Sequence, residues 1–345
     1  MTDEFKLCTK CIMPESKPNI SFDESGVCNA CQNAKKSADI DWDSRWDDLV
    51  KIADSVEDHG GYNIVIPVSG GKDSTYLAVI AKDLGLRPLC VNVSPCEPTP
   101  LGEKNLKNLS ELGFDIFRFI PNAKIMPELV KRSFYEDGDP CTSHEFMLYS
   151  IPLKVAMKFN IPLIMWAENS QVEYGNFDIQ CGLWGRSHKH WLSSTVTEDD
   201  LIPFYQPTEK EIEDSEIKAL YLSDYIRWDS RQVADFAINH GLEARPKDEL
   251  LGTGGYWDFE QLDDECPVIG HHIKHQKFGY GRATDQACRD IRSGYINREH
   301  GLQLAKKYDG YLSHEYIENF CKYIGIDKEE FHRVCKSFYR NPVVL

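Results

Sequence analysis

The chain has 345 residues, of which 41% are hydrophobic and 27% are charged, a composition typical of a globular protein with one or two domains. Its formal net charge of −16 argues against a nucleic-acid-binding protein, because such proteins usually carry a basic surface that neutralises phosphates. The sequence contains no run of about 18 apolar residues, so no membrane span is predicted. The polar N-terminus lacks the apolar core of a signal peptide, and we therefore expect a cytoplasmic protein.

Residues 1–40 form a cysteine-rich segment with little hydrophobic periodicity. Two Cys-x-x-Cys pairs, Cys8 with Cys11 and Cys28 with Cys31, predict a four-thiolate tetrahedral site, most often for Zn²⁺. Four protein ligands leave no open coordination position, so we interpret the site as structural, and metal binding would supply the folding free energy that this segment lacks. Four unrelated thiols and an iron–sulfur cluster are the alternatives, since thiolates alone do not separate the two metals.

From residue 41 to about residue 228, predicted helices and apolar strands alternate. Apolar, β-branched strands separated by helices predict an α/β fold, a parallel sheet with helices on both faces. Ligands of such sheets bind beyond the carboxyl ends of the strands. The predicted strands cover 64–68, 89–93, 115–120 and 162–167, with a fifth beginning at 219, and the predicted helices cover 41–62, 74–84, 102–112, 126–134 and 146–159.

Residues 229–345 predict a mainly helical C-terminal region. Its predicted helices cover 230–240, 285–293, 298–308, 314–324 and 328–338.

The string SGGKDS, residues 69–74, connects the first predicted strand to a helix. Its glycines let the backbone approach an anion, and the helix N-terminus offers free N–H groups. Lys72 adds positive charge, and Asp73 is a candidate Mg²⁺ ligand. The spacing differs from that of a Walker P-loop, which indicates a different phosphate chemistry. The alternative is a turn with a serine N-cap, although the complete string is more specific than a lone Gly-Gly pair.

This string resembles the PP-loop of the ATP pyrophosphatase superfamily, S-G-G-x-D-S. The resemblance implies an adenine nucleotide alpha hydrolase-like fold that uses ATP and Mg²⁺. An oxygen nucleophile attacks the α-phosphorus, pyrophosphate departs, and an amine, ammonia or sulfur nucleophile then displaces AMP. Lys72 and Asp73 would be catalytic, and the implied ATP-binding residues are Ser69, Gly70, Gly71, Lys72, Asp73 and Ser74.

Two further stretches are IPLIMWAENSQVEYG at 161–175 and KFGYGRATDQACRDIRSGYINREHGLQLAKKY at 277–308. With the cysteine pairs and SGGKDS, they resemble the N-acetyl sugar amidotransferase family from Cys8 to about Tyr308. The resemblance implies conversion of an acetamido group to an acetamidino group on a nucleotide-linked or acidic N-acetyl sugar, for bacterial lipopolysaccharide O-antigen or flagellin glycans. It also implies partner proteins, similar to the glutaminase and cyclase subunits of imidazole glycerol phosphate synthase, that supply ammonia.

Arg282, Asp285, Arg289 and Arg292 are spaced three, four and three residues apart, which places them on one face of a helix. Three arginines on one face suit a carboxylate or phosphate of the substrate. The alternative is a solvated face in which Asp285 and Arg289 form an ordinary ion pair.

A second candidate substrate-binding set follows the fourth predicted strand. Glu168 would be catalytic, by orienting ammonia or by binding Mg²⁺, and Asn169 would bond sugar hydroxyls. A polar surface loop is the alternative. The remaining members of this set are Gln171, Glu173 and Tyr174.

We therefore predict an ATP-dependent carbon–nitrogen ligase with three regions: a four-cysteine zinc segment (1–40), a PP-loop ATP-binding domain (41–228) and a helical region that contributes to the substrate site (229–345). Two rival functions stay open, a PP-loop tRNA-modifying enzyme of the thiolase or lysidine synthetase type and a non-catalytic ATP-binding regulatory subunit. A thiolase would need a persulfide-carrying cysteine, and Cys96 and Cys141 are candidates, although a free cysteine is more often an inert buried thiol.

Overall fold

A computed structural model describes residues 5–57, 60–167 and 192–339 of the chain. At its centre is a five-stranded sheet in which every neighbouring pair of strands is parallel. The order of the strands is β3-β2-β1-β4-β5, and the predicted α/β fold is confirmed. The strands are β1 (Ile64–Pro67), β2 (Pro88–Val93), β3 (Asp115–Phe119), β4 (Leu163–Trp166) and β5 (Lys218–Tyr221).

Helices cover both faces of this sheet, as the strand pattern predicts. The helices up to β5 and just beyond it are α1 (Asn29–Lys36), α2 (Trp42–Asp54), α3 (Lys72–Asp83), α4 (Pro100–Glu111), α5 (Met126–Glu136), α6 (Thr142–Lys158), α7 (Glu209–Asp214) and α8 (Ser230–Asn239). Ile64 and Ile66 of β1 pack against α2, α3 and α4, whereas Val65 between them packs on the opposite face with α5 and α6.

The C-terminal region is mainly helical, and one of its helices is not predicted from the sequence. That helix is α9, whose Pro267 and Gly270 obscure the helical pattern of its apolar residues. Proline is tolerated here because it lies in the first turn, where its missing N–H has no intrahelical partner to lose. The helices are α9 (Cys266–Phe278), α10 (Arg282–Ser293), α11 (Arg298–Tyr308), α12 (His314–Ile324) and α13 (Lys328–Ser337).

Hydrophobic contacts join the helical region to the sheet. The ring of Phe134 on α5 lies 5.1 Å from that of Phe320 on α12 and 5.6 Å from that of Phe331 on α13. On the other face, Tyr76 of α3 contacts Phe236 of α8, with ring centroids 4.8 Å apart. The division into three regions stays a prediction. Residues before and after position 229 pack together in one hydrophobic cluster. Within the described ranges, no helix has both the length and the apolar character needed to cross a membrane.

Candidate functional site

The four cysteines of the N-terminal segment converge in a buried cluster whose sulfur atoms all lie within 4.8 Å of one another. The Sγ atoms of Cys8 and Cys31 are 4.0 Å apart, and those of Cys11 and Cys28 are 3.8 Å apart. A tetrahedral zinc–thiolate site with Zn–S bonds of about 2.3 Å places its sulfurs roughly 3.8 Å apart. The backbone N–H of Cys28 also donates to the Cys8 sulfur, at 3.2 Å. The cluster therefore fits a tetrahedral metal, and the identity of that metal stays a prediction.

The C-terminal helices cover this cysteine cluster. Cys288 of α10 and Ala305 of α11 pack into the same hydrophobic cluster as these four cysteines. The Arg298 guanidinium donates to the carbonyl oxygen of Cys11 at 2.9 Å. The N-terminal segment is therefore fixed to the helix that carries the predicted arginine face.

The SGGKDS loop lies at the carboxyl end of β1, and α3 begins at Lys72. β1 pairs with β2 on one side and with β4 on the other, so the loop lies where the strand order reverses. In open parallel sheets this reversal opens the crevice that binds ligands. Gly70 has a φ of 89°, and a Cβ atom there would lie 2.7 Å from the backbone nitrogen of Leu106. Glycine is therefore required at this position, both for its conformation and for the close approach of α4.

Lys72 and Asp73 bond to each other. The Lys72 ammonium is buried, and its Nζ atom lies 2.7 and 2.6 Å from the two carboxylate oxygens of Asp73. About a third of the Asp73 side chain stays exposed, at 33%. The Lys72 ammonium also lies 6.0 Å from the ring centroid of Phe259, which follows α8 by twenty residues of chain. The loop thus brings its charged pair against the C-terminal region.

Glu260, which the sequence analysis does not identify, is the acidic centre of this region. It is buried, and its carboxylate accepts from Arg282 at 2.8 Å, from Arg289 at 3.3 Å and from the Gln286 amide at 2.8 Å. Burial alone would raise the pKa of Glu260, but the charges of Arg282, Arg289 and Lys72 hold it well below its usual range. The cation of the PP-loop-like string and two of the predicted arginines therefore act on one carboxylate. A single Glu in an irregular stretch carries no spacing signal that would have predicted this.

The predicted arginine face is divided by the structure. Arg282 and Arg289 meet at Glu260, while Asp285 pairs with Lys274 of α9 rather than with Arg289. The helix also begins at Arg282, three residues earlier than predicted, because Gly281 supplies an extended N-cap. Substrate contacts of these residues stay predictions.

Two cavities flank this charged group. One of about 680 Å³, within the range of small-molecule sites, is lined by Ser69 of the loop together with Cys141, His144, Asp263 and Lys274. A smaller one, of about 130 Å³, is rich in arginine and aromatic side chains; among its lining residues are Arg231, Arg289, Arg292, Trp42, Trp228 and Trp257. Arg289 and Arg292 of the predicted set thus line the second cavity.

The second predicted set, Glu168, Asn169, Gln171, Glu173 and Tyr174, lies outside the residues that the structure describes. The strand before it, β4, pairs directly with β1. Its carboxyl end is therefore at the same edge of the sheet as the SGGKDS loop, and the roles of the five residues stay predictions.

We expect the Glu260→Gln substitution to lower the free energy of unfolding at pH 7 by about 3–5 kcal/mol, because the buried Arg289 and the largely buried Arg282 lose their counter-charge. The folded-state pKa of Glu260 is depressed from the ordinary value of 4.5, so its stabilisation is complete above that pH and is lost as the pH falls below it. Urea denaturation of the wild type and of Glu260→Gln should be measured from pH 7 to pH 3. The difference between their free energies of unfolding should decrease below about pH 4.5.

Glu243→Gln is the matched control, since Glu243 forms an exposed ion pair with Lys104. It should cost less than about 1 kcal/mol at every pH. A Glu260→Gln protein as stable as the wild type would contradict the assigned charge cluster.

Comparison with known proteins finds a similarity for the C-terminal region. Residues 254–343 match the model of "LPS biosynthesis protein WbpG-like, C-terminal domain". Among the curated proteins, none matches the chain. A structure of NMN synthetase from Francisella tularensis is 14% identical, with 86% of this chain and 96% of that chain covered and a TM-score of 0.38. A predicted subunit of tRNA methyltransferase from Methanocaldococcus jannaschii is 16% identical, with 51% and 75% covered and a TM-score of 0.29. Residues 254–343 are therefore similar to the C-terminal domains of WbpG-like LPS biosynthesis proteins.

Proposed function

We propose that this protein is an ATP-dependent amidotransferase that converts the acetamido group of an N-acetyl sugar, nucleotide-linked or acidic, to an acetamidino group. The observation that carries the proposal is the shared charge cluster at Glu260. Lys72 belongs to the PP-loop-like string and lies 6.0 Å from the ring of Phe259, the residue before Glu260. Glu260 pairs with Arg282 and Arg289, and all three belong to the region similar to LPS biosynthesis proteins. ATP chemistry and glycan chemistry would therefore meet in one site.

In the first half-reaction, the acetamido oxygen attacks the α-phosphorus of ATP and pyrophosphate leaves, which gives an adenylated imidate. Lys72 and the N–H groups at the start of α3 are placed to bind the departing pyrophosphate. In the structure Lys72 and Asp73 satisfy each other, and the Asp73 carboxylate is accessible. A Mg–ATP complex offers each of them a new partner, phosphate oxygens for the ammonium and Mg²⁺ for the carboxylate.

In the second half-reaction, ammonia attacks the imidate carbon and AMP leaves, which gives the amidine. Adenylation is needed because an amide oxygen is a poor leaving group. The attacking species must be unprotonated NH₃, so we propose that a partner glutaminase, together with a cyclase-like protein, delivers ammonia to the site.

The two cavities divide the substrates in this proposal. The larger cavity is lined by Ser69 and would therefore adjoin the ATP phosphates. The smaller one has room only for part of a substrate, such as a carboxylate, which would lie among Arg231, Arg289 and Arg292 beside tryptophan rings. Arg231 pairs with Asp290 and Arg289 with Glu260, so Arg292 is the arginine that we propose for this anion.

The test is a mass balance of ATP products in the purified protein with Mg²⁺ and ammonium salt. A UDP-linked acetamido sugar or an acetamido sugar acid should give AMP, pyrophosphate and an amidine product one mass unit lighter than the acetamido sugar. The same sugar with a free amine in place of the acetamido group should give none. AMP formed with bulk tRNA but not with sugars would instead establish the RNA-modifying function, and ATP binding without AMP release would establish a regulatory subunit.

A further inference from the structure

We propose that Cys96, Asp264 and Cys266 form a second metal site, for a divalent ion of the zinc type, beside the cavity that Ser69 lines. One ligand atom from each of these three residues lies within 4.8 Å of the other two. All three residues are buried, with exposures of 8%, 4% and 0%. Two thiolates and one carboxylate are ligands that Zn²⁺ takes in proteins.

The local backbone orients the Asp264 carboxylate for this role. Its Oδ1 atom accepts the backbone N–H groups of Cys266 at 3.0 Å and of Glu97 at 3.2 Å. A bridge between Pro98 and Asp264 holds the segment after β2 against the segment that enters α9. Two hydrogen bonds on one oxygen fix the carboxylate and leave Oδ2 available, which is the arrangement that supporting groups give to metal-binding carboxylates.

A fourth group stands next to the three ligands. His144 of α6 has 8% exposure, and its Nδ1 atom lies 3.9 Å from Oδ2 of Asp264, too far for a hydrogen bond. Its Nε2 atom is buried and makes no hydrogen bond within the described residues. A buried imidazole nitrogen without a partner is costly unless it has another role. We therefore assign the fourth coordination position of the metal to the space that faces His144. His144 lines the larger cavity together with Ser69.

This arrangement differs from the N-terminal cysteine cluster. That cluster supplies four thiolates and leaves no coordination position free. The second site supplies three ligands, Cys96, Asp264 and Cys266, and lies beside a cavity. Zinc sites with three protein ligands can bind a water or substrate atom in the remaining position. The assignment depends on this geometry alone and does not require the proposed amidotransferase reaction.

The test is the metal content of the full chain after loading with Zn²⁺ and removal of unbound metal. The wild type should retain two zinc ions per chain, and Asp264→Asn should retain one or bind the second at least ~10-fold more weakly. Asparagine keeps the oxygen that accepts the two backbone N–H groups, so this variant preserves the local fold. With Co²⁺ in place of zinc, the Cys96→Ser/Cys266→Ser double variant should lose about one third of the thiolate-to-cobalt absorption, because two of six thiolates are removed.

Cys321→Ser is the matched control, since Cys321 is a buried thiol of the same hydrophobic core and not a ligand. It should keep both metal ions. A single zinc ion in the loaded wild type, or a second zinc ion that Asp264→Asn binds with the wild-type affinity, would overturn the proposal. Anaerobically purified protein could instead contain iron and inorganic sulfide that the Cys141→Ser variant lacks. That result would also overturn the proposal, because Cys141 would then be a ligand of an iron–sulfur cluster that replaces the mononuclear site.

Discussion

Replacing Lys72 by methionine is expected to slow AMP formation by at least about a hundredfold while the protein stays folded. The ammonium of Lys72 is the buried cation of the SGGKDS loop, placed at the N-terminus of α3 where pyrophosphate would develop charge. Methionine fills most of the same space without charge, so packing against Phe259 is kept. Asp73→Asn should have an effect of similar size, because an amide is a weaker Mg²⁺ ligand than a carboxylate.

The measurement is a single-turnover assay of AMP release, with thermal unfolding of each variant as a check on folding. Lys107→Met is the control, because Lys107 forms an exposed ion pair with Glu111 on α4 and lies on the surface. Its rate should equal that of the wild type. A Lys72→Met protein with the wild-type rate would show that the loop has no part in the chemistry.

Removal of the metal from the N-terminal cysteine cluster is expected to unfold residues 5–36 and to loosen the helices that cover them. Structural zinc sites contribute about 10–16 kcal/mol of apparent binding free energy at pH 7, which is comparable to the whole stability of a domain. Cys28→Ser removes one of the four thiolates that meet in this cluster. Hydrogen exchange should then rise both in the segment and in α10 and α11, which share its hydrophobic cluster.

Cys90→Ser is the matched control, since Cys90 is fully buried in β2 and lies in a different hydrophobic cluster. It should keep all bound metal and change exchange only around the sheet. Normal metal content and normal exchange in Cys28→Ser would refute a structural metal site.

The sheet could be predicted because its signal is local. Each strand is a short apolar run, and both predicted ends of β1 to β4 lie within one residue of the observed ends. The fifth strand begins at Lys218, one residue before its predicted start. The cysteine pairs are also local, since each Cys-x-x-Cys spacing fixes two ligands on one turn. The two pairs are predicted to come together because a tetrahedral metal ion needs four ligands and each pair supplies two.

The centre of the candidate site could not be predicted, because long-range packing creates it. Glu260 gains its role from Arg282 and Arg289 on a helix more than twenty residues away, and from Lys72 on a different element. Asp285 has Arg289 one turn away but pairs with Lys274, because α9 approaches that side of α10. Helical spacing shows which side chains share a face and does not show what a neighbouring helix offers them.

The docking of the N-terminal segment on the last third of the chain has a consequence for synthesis. The bond between Arg298 and Cys11 joins residues 287 positions apart, so the cysteine segment leaves the ribosome long before its covering helices exist. At common elongation rates that interval is on the order of tens of seconds. We therefore expect the nascent segment to acquire its metal before α10 and α11 are translated. Until then, Ile12 and Met13 lack the helices that pack against them in the folded protein.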